Sequence, residues 1–369
     1  MRIKNAKVFL NGRFVDGGIE FDEKIIAAGA AVTDGEDAEG CYIIPGLIDV
    51  HTHAALGEDA SDGNAEGMVT LSRYYASEGV TSWLPTTMTL KEHTLKDAVE
   101  VIRDFRRPAD GAKVAGIHLE GPFLCYSKRG AQAAENLHAP DIEMFHRLNE
   151  ASGNLVKLIT VAPEEPGALD FIREVSKVCT VSVGHTTADY DTAMAAFEAG
   201  ASHATHLYNG MPSLHHREPG VIAAASDAGA TVELITDGLH IHPAVVRLTH
   251  RLFGEKLVLI SDSLRCAGMP DGEYDLGGQS ITVKDGKATL TGTDTLAGSS
   301  IHLMEGLRRA VSFGLPLEAA VTAATLAPAK AIRMADTIGS LEAGKCADFV
   351  LLDQDLNVKA VYIDGARVR

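Results

Sequence analysis

The chain places histidines and carboxylates where a divalent cation could be held. His51 and His53 close the segment IIPGLIDVHTH, Glu120 closes VAGIHLEGP, and His185 closes TVSVGHT. His206 sits in HATHLYNG, and Asp262 closes KLVLISD. Each ends a short apolar run that reads as a buried strand. Imidazole and carboxylate side chains that converge are ligands for a divalent metal, and such a site suggests hydrolysis by an activated water.

In a strand, residues i and i+2 face the same side, so His51 and His53 could reach one cation together. Glu120 has two oxygens and could bridge two cations or bind one; it could also be a buried, hydrogen-bonded acid beside a turn. A charge buried without a partner is costly, so this carboxylate needs a cation or a proton. His185 and His206 supply neutral nitrogen donors, or are satisfied core histidines. His118 and His203 precede the ligand candidates on the same strands and read as core or supporting residues. Asp262 reads as the general base, which can take a proton from water and return it to a leaving nitrogen; the alternatives are a carboxylate remote from the metal or a helix N-cap. In the loop after the sixth strand, Asn209, Gly210, His215, His216 and Arg217 could hold a phosphate or carboxylate through Arg217, or Arg217 is a surface residue. His240, in DGLHIHP, could be a ligand, a substrate contact or a surface residue.

These positions call for a scaffold that collects the ends of several parallel strands, which is what a (β/α)₈ barrel does. Strand patterns at 43–50, 79–86, 114–120, 156–162, 179–185, 203–208, 231–237 and 256–262 alternate with helical patterns. The expected fold is α/β: a (β/α)₈ TIM-like barrel over 45–338, with a small β-sandwich domain from 1–44 and 339–369. RIKNAKVFL and GRFVDGGIEF flank an Asn11-Gly12 turn of the hairpin type. A turn-rich, β-forming segment at about 270–292 reads as an inserted hairpin. PLEAAVTAATLAPAKAIRM reads as one helix.

The formal charge of -17 argues against nucleic acid or an anionic membrane surface as a partner. A few local cations can still hold an anionic small molecule. Five scattered cysteines with no C-x-x-C pair fit reduced thiols in a cytoplasm. Cys125 reads as a buried thiol rather than a nucleophile. The first residues lack an apolar core of signal-peptide length, and no uncharged run is long enough to span a bilayer.

PGLIDVHTH, HLEGPF, VGHT, ATHLYNGMPSLHHREPG, DGLH, LISD and LAGSS resemble, in order, the N-acetylglucosamine-6-phosphate deacetylases of the amidohydrolase superfamily. The resemblance covers almost the whole chain. It implies hydrolysis of the acetamide of N-acetylglucosamine 6-phosphate, with Glu120, His185 and His206 on the common metal and Asp262 as acid/base. It further implies that Asn209, Gly210 and Arg217 hold the sugar phosphate and that His240 reaches it across a homodimer interface. Ala131, Gln132, Leu296, Ala297 and Gly298 would line the sugar pocket. Some relatives replace the first two histidines and bind one metal; this chain keeps His51 and His53, which implies room for two. Where some relatives carry a polarising His, this chain has Gln132, and Gly210 replaces a more usual Ala at a backbone contact. The donor set suits zinc, iron(II), manganese or cobalt. The related readings are a deacetylase of N-acetylgalactosamine 6-phosphate or of an N-acyl amino acid, and a non-catalytic scaffold member, which should have lost ligands.

Overall fold

The computed structural model describes residues 1–369. Eight parallel strands form the central barrel: Leu47–Thr52, Val80–Thr87, Ile117–Glu120, Val156–Val161, Thr180–Val183, His203–Ala204, Thr231–Ile235 and Leu257–Ile260. Each pairs in parallel with the next. The ring closes where the Asp262 N–H donates to the His51 carbonyl at 2.9 Å. All the residues of these strands are buried except Lys157 and Thr231, which are partly so. That explains why the strands read as continuous apolar runs rather than alternating ones.

Ile48, Val50, Leu84, Leu158, Ile235, Val258 and Ile260 cluster with Ala327, Ala331, Ile332 and Ile338 at the bottom of the barrel. Above this apolar layer lies a polar one: His118, Thr160, Ser182, His203, Thr205 and Glu233, all fully buried. In the first strand the register slips between Asp49 and Thr52. A slip of one residue exchanges the faces of a strand. It lets the inward set begun by Ile48 and Val50 continue with His51 and His53.

Helices cover the barrel, and polar side chains start them. The Asn64, Asp141 and Asp189 side chains accept from the first-turn N–H groups of Glu66, Met144 and Thr192. The segment 316–334, expected as one helix, is two: Leu317–Ala324 and Leu326–Ala331. Pro328 lacks an N–H, and its ring would press on the carbonyl of Ala324, four residues back, so the helix breaks at Thr325. No helix is long and apolar enough to cross a membrane.

The strand expected at 43–50 is also two. Tyr42–Pro45 joins the small β domain, and Leu47–Thr52 starts the barrel. Gly46 turns between them; a Cβ there would lie 2.1 Å from Thr81 Oγ1. The strand expected at 114–120 likewise splits into Lys113–Val114 and Ile117–Glu120. The small domain draws on both chain ends. Arg2–Leu10, flanked by Arg13–Phe21 and Tyr42–Pro45, connects through Phe349–Leu352 to Val358–Ile363. The sheet curls round its own core, so that Phe21 meets Phe349 edge-on at 4.8 Å and Phe349 stacks on Tyr362 at 4.5 Å. The inserted segment is a three-stranded antiparallel sheet, Gly272–Leu276, Gln279–Lys284 and Lys287–Leu290, rather than a hairpin. It carries Leu276 and residues 295–298 to the barrel mouth.

Lys113 pins the two domains together. Its Nζ lies 2.6 Å from Asp348 Oδ2 and 2.8 Å from Asp364 Oδ1. Burial pushes the Asp348 carboxyl up, and the Lys113 charge opposes that rise. Lys113→Ala should destabilise the protein by about 3 kcal/mol at pH 7, the usual cost of stranding a buried charge. The loss should shrink as the pH falls and Asp348 takes up a proton. Denaturant melts of both chains at pH 7 and pH 5 check this.

Candidate active site

The residues singled out at strand ends converge on Glu120. Its Oε1 lies 3.1 Å from His185 Nε2, 3.1 Å from His206 Nε2 and 3.3 Å from His51 Nε2. Its Oε2 lies 3.2 Å from His53 Nε2. Asp262 Oδ1 completes the group, 3.4 Å from His53 Nε2 and 3.6 Å from His51 Nε2. These side chains come from the first, third, fifth, sixth and eighth strands. All six are buried.

Backbone conformation aims several of them. His185, His206 and Asp262 each follow their strand by two residues and adopt positive φ, 48°, 26° and 48°. Non-glycine residues in the left-handed region are strained, and they cluster at functional sites. Here the strained turn ends the strand and swings the side chain over the barrel mouth.

The rings are also held from behind. His185 Nδ1 donates to the Lys128 carbonyl at 2.8 Å, and His53 Nδ1 donates to the Thr86 carbonyl at 3.1 Å. His51 Nδ1 donates to Glu233 Oε2 at 2.9 Å. In each case the Nε2 lone pair is left facing the centre, as in metal-binding histidines. His185 Nε2 and His206 Nε2 lie only 3.0 Å apart. His51 Nε2 is fully buried without a well-aligned hydrogen bond. Lone pairs crowded this closely repel unless positive charge sits among them, so the donor set fits a divalent cation. Two overlapping groups offer such a site: His51, His53 and Glu120, and Glu120, His185 and His206.

The electrostatics agree. When the rings carry protons in place of a metal, burial works against the Glu120 carboxylate, but the His51 charge and hydrogen bonds from His185, His206 and His51 hold its carboxyl well below the usual range. Burial works against a charged His53 too, yet its bonds to Asp262 and Glu120 raise it to about 9. The Asp262 carboxyl is lowered: burial raises it, and the His51 charge and the His53 bond outweigh that. The cluster thus attracts positive charge, as protons or as metal ions. His118 stands apart. Burial and the nearby His51 charge push it down to about 3, and its nitrogens are taken by the Val50 carbonyl and Thr160 Oγ1. It belongs to the core, as does His203.

A cavity of about 250 Å³ opens over the cluster. His53, Glu120, His185, His206 and Asp262 form its floor; Ala131, Gln132, Asn209, Gly210, Leu296, Ala297 and Gly298 lie around it. Gln132 Nε2 donates to Glu120 Oε2 at 2.6 Å, while its Oε1 accepts from the Thr89 N–H at 2.7 Å. Gln132 therefore fixes the hub carboxylate. Gly210 has φ 60°, and a Cβ there would lie 3.1 Å from His185 Nδ1 and 3.3 Å from the Lys128 carbonyl oxygen. A larger residue in this backbone would press on the bond that orients His185, so the position is less tolerant than a plain backbone contact.

His240 and Arg217 lie in different surroundings. His240 lines the cavity of its own chain, with Nδ1 2.7 Å from Asp237 Oδ2, so it does not have to arrive from a partner. Burial opposes its charge, but the hydrogen bond to Asp237 raises its pKa overall. Arg217 is exposed, its guanidinium lies 2.7 Å from His216 Nε2, and it is not among the cavity residues. Residues 213–218 of its loop are exposed. Cys125 is buried beside Ser127 Oγ at 3.3 Å and does not touch the cavity, in keeping with a structural thiol. Glu233 and Asp237 escaped the sequence reading. The signal for Glu233 was there: a lone acid inside the apolar strand TVELI needs a buried partner.

The chain matches the model of the amidohydrolase family over residues 42–368. It is 39% identical over 324 residues to the N-acetylglucosamine-6-phosphate deacetylase of Bacillus subtilis, covering 86% of this chain and 82% of that one. It is 37% identical over 357 residues to the N-acetylgalactosamine-6-phosphate deacetylase of Escherichia coli O157:H7, covering 96% and 93%. Among solved structures, a point mutant of the N-acetyl-D-glucosamine-6-phosphate deacetylase of Mycobacterium smegmatis, in complex with N-acetyl-D-glucosamine-6-phosphate, superposes with a TM-score of 0.94 at 33% identity, covering 100% of this chain and 99% of that one. The chain belongs to the amidohydrolase family, among the N-acetylglucosamine-6-phosphate deacetylases.

Proposed function

We propose that this protein hydrolyses the acetamide of N-acetyl-D-glucosamine 6-phosphate to D-glucosamine 6-phosphate and acetate, in amino-sugar catabolism and cell-wall sugar recycling. The observation that carries the reading is Glu120, ringed by four imidazoles with Asp262 at their edge, at the floor of a cavity that also holds His240. Glu120, His185 and His206 would hold one divalent cation, and His51, His53 and Glu120 could hold a second. Zinc, iron(II), manganese and cobalt all suit these donors. When bound, the metal supplies Lewis acidity toward the acetyl oxygen and makes a water acidic.

The chain's own groups do the rest. Asp262 takes the proton of the attacking water as the C–O bond forms. It then gives that proton to the amide nitrogen as the C–N bond breaks, because an amine leaves poorly unless protonated. Gln132 steadies Glu120 during this exchange. Leu296, Ala297 and Gly298 close one side of the sugar, and Asn209 and Gly210 lie on another.

His240 recognises the 6-phosphate from within the chain, its charge sustained by Asp237. Arg217 recognises it from a second copy of the chain, giving a homodimer with shared sites. Leu214 and Leu239, each nearly half exposed beside these two residues, suit such a contact. Five unpaired cysteines suit a reducing cytoplasm.

A second reading keeps the same chemistry on N-acetylgalactosamine 6-phosphate, favoured by the likeness to the Escherichia coli O157:H7 enzyme. Acetate release from the two epimeric sugar phosphates compares them directly. Faster turnover of the galacto epimer would overturn the gluco assignment.

Asp262→Asn should retain fold and metal but lower kcat by at least about 10²-fold; near-normal turnover in the metal-replete variant would refute the acid/base role. Replacing both His51 and His53 by Ala should remove one equivalent of metal by elemental analysis and spare the other. Arg217→Ala should raise KM for the phosphorylated sugar by roughly ten- to a hundredfold, the worth of a charge-assisted bond. Mixing Arg217→Ala chains with Asp262→Asn chains should restore activity if the arginine is donated in trans. No recovery despite proven subunit exchange would place it outside the site.

The sugar phosphate should also bind less well as pH rises through the raised His240 pKa, because the cation is then lost. Asp237→Asn should move that rise in KM to lower pH.

A further inference from the structure

Glu233 has no place in the mechanism above, yet it is fully buried at the centre of the seventh strand. It is not among the residues that line the cavity, so it does not meet substrate. Its Oε2 accepts from His51 Nδ1 at 2.9 Å and from the backbone N–H of His206 at 3.0 Å. Its Oε1 pairs with His203 Nε2 at 3.1 Å. The first, sixth and seventh strands therefore meet on one carboxylate.

An ionised carboxylate only accepts hydrogen bonds. His51 must then carry its ring proton on Nδ1 and turn the Nε2 lone pair toward Glu120 and Asp262. His53 and His185 are oriented in the same sense, but by backbone carbonyls. A formal negative charge behind the ring makes its nitrogen a better donor than a carbonyl dipole does. Among these rings only His51 has a carboxylate behind it.

We propose that Glu233 is a positioning residue for the cation held by His51: it fixes the ring's tautomer and orientation and strengthens Nε2 as a ligand. This rests on the reading of His51 as a ligand of a second metal ion. Replacing a group that holds a metal-binding histidine usually weakens metal affinity by about 10- to 100-fold. Glu233→Gln keeps the size of the side chain and removes its charge.

Zinc alone is the probe, titrated into the metal-free full-length chain in competition with a chromophoric chelator. The wild type should take two equivalents. Glu233→Gln should hold one as tightly as the wild type and the other roughly ten- to a hundredfold more weakly. His51→Ala should lose that same equivalent, and adding Glu233→Gln to it should change zinc binding no further. A purely structural role would instead lower the melting temperature and weaken both equivalents, and would persist in the His51→Ala background; that result overturns the proposal. If His51→Ala binds zinc as the wild type does, the two-cation reading falls and this inference with it. If His51→Ala loses an equivalent while Glu233→Gln does not, only the role of Glu233 falls.

A measurement on the unaltered chain decides the matter if Glu233→Gln does not fold. With ¹⁵N-labelled histidine and zinc bound, the His51 ring, assigned by its absence in His51→Ala, should show its proton on Nδ1. A proton on Nε2 would overturn the proposal.

Discussion

A buried carboxylate surrounded by imidazoles is the constraint on which the rest of this structure depends. Glu120 is 3% exposed, and its oxygens lie within 3.3 Å of four ring nitrogens. A carboxylate removed from water without compensation is strongly unfavourable. Its compensation must come from three separate strands, because no single strand can present four rings to one point. A barrel can do this because all its strands end on the same face. The ligand set and the architecture are therefore one requirement stated at two scales.

The convergence also explains where the chain accepts strain. His185, His206 and Asp262 leave their strands in left-handed conformations. The fold compensates by holding the nearby groups firmly: Lys128 and Thr86 through carbonyls, Glu233 through its side chain, and Gln132 through Glu120 itself. The barrel bottom has a different task. Ile48, Leu84, Leu158 and Val258 fill it with apolar bulk, so the polar layer above has a rigid floor. The two layers differ by only a turn of the strand alternation, yet one supplies packing and the other chemistry.

The additions to the barrel fall into place on the same terms. The small domain, bound through Lys113 to Asp348 and Asp364, meets the starts of the first and second strands, where the Gly46 N–H donates to the Asp348 carbonyl at 2.9 Å and Val350 and Val358 lie beside Gly79. The inserted sheet reaches the opposite, catalytic end. Leu276 and the turn at Leu296–Gly298 narrow the cavity from that side. Gly298 has φ 35°, and a Cβ there would meet the Asp262 carbonyl oxygen at 2.7 Å, so the wall can approach Asp262 only as glycine.

Much of this was legible in the sequence. Metal chemistry restricts ligands to a few residue types, and a barrel restricts them to strand ends, so His51, His53, Glu120, His185, His206 and Asp262 stood out together. Buried parallel strands announce themselves as apolar runs, which located the eight strands to within a few residues. What one chain's linear order could not reveal was partnership across strands. Whether Gly46 joins or divides two strands depends on the close approach of Thr81. Pro328 broke a helix that periodicity alone would have continued. Gln132 orients Glu120, and Glu233 orients His51, across separations of 12 and 182 residues. His240 faces its own cavity while Arg217 turns to solvent, although both sit in loops after adjacent strands. Residue type and local period decide what a segment can become; only packing in three dimensions decides which donor meets which acceptor, because those bonds join residues the chain itself keeps far apart.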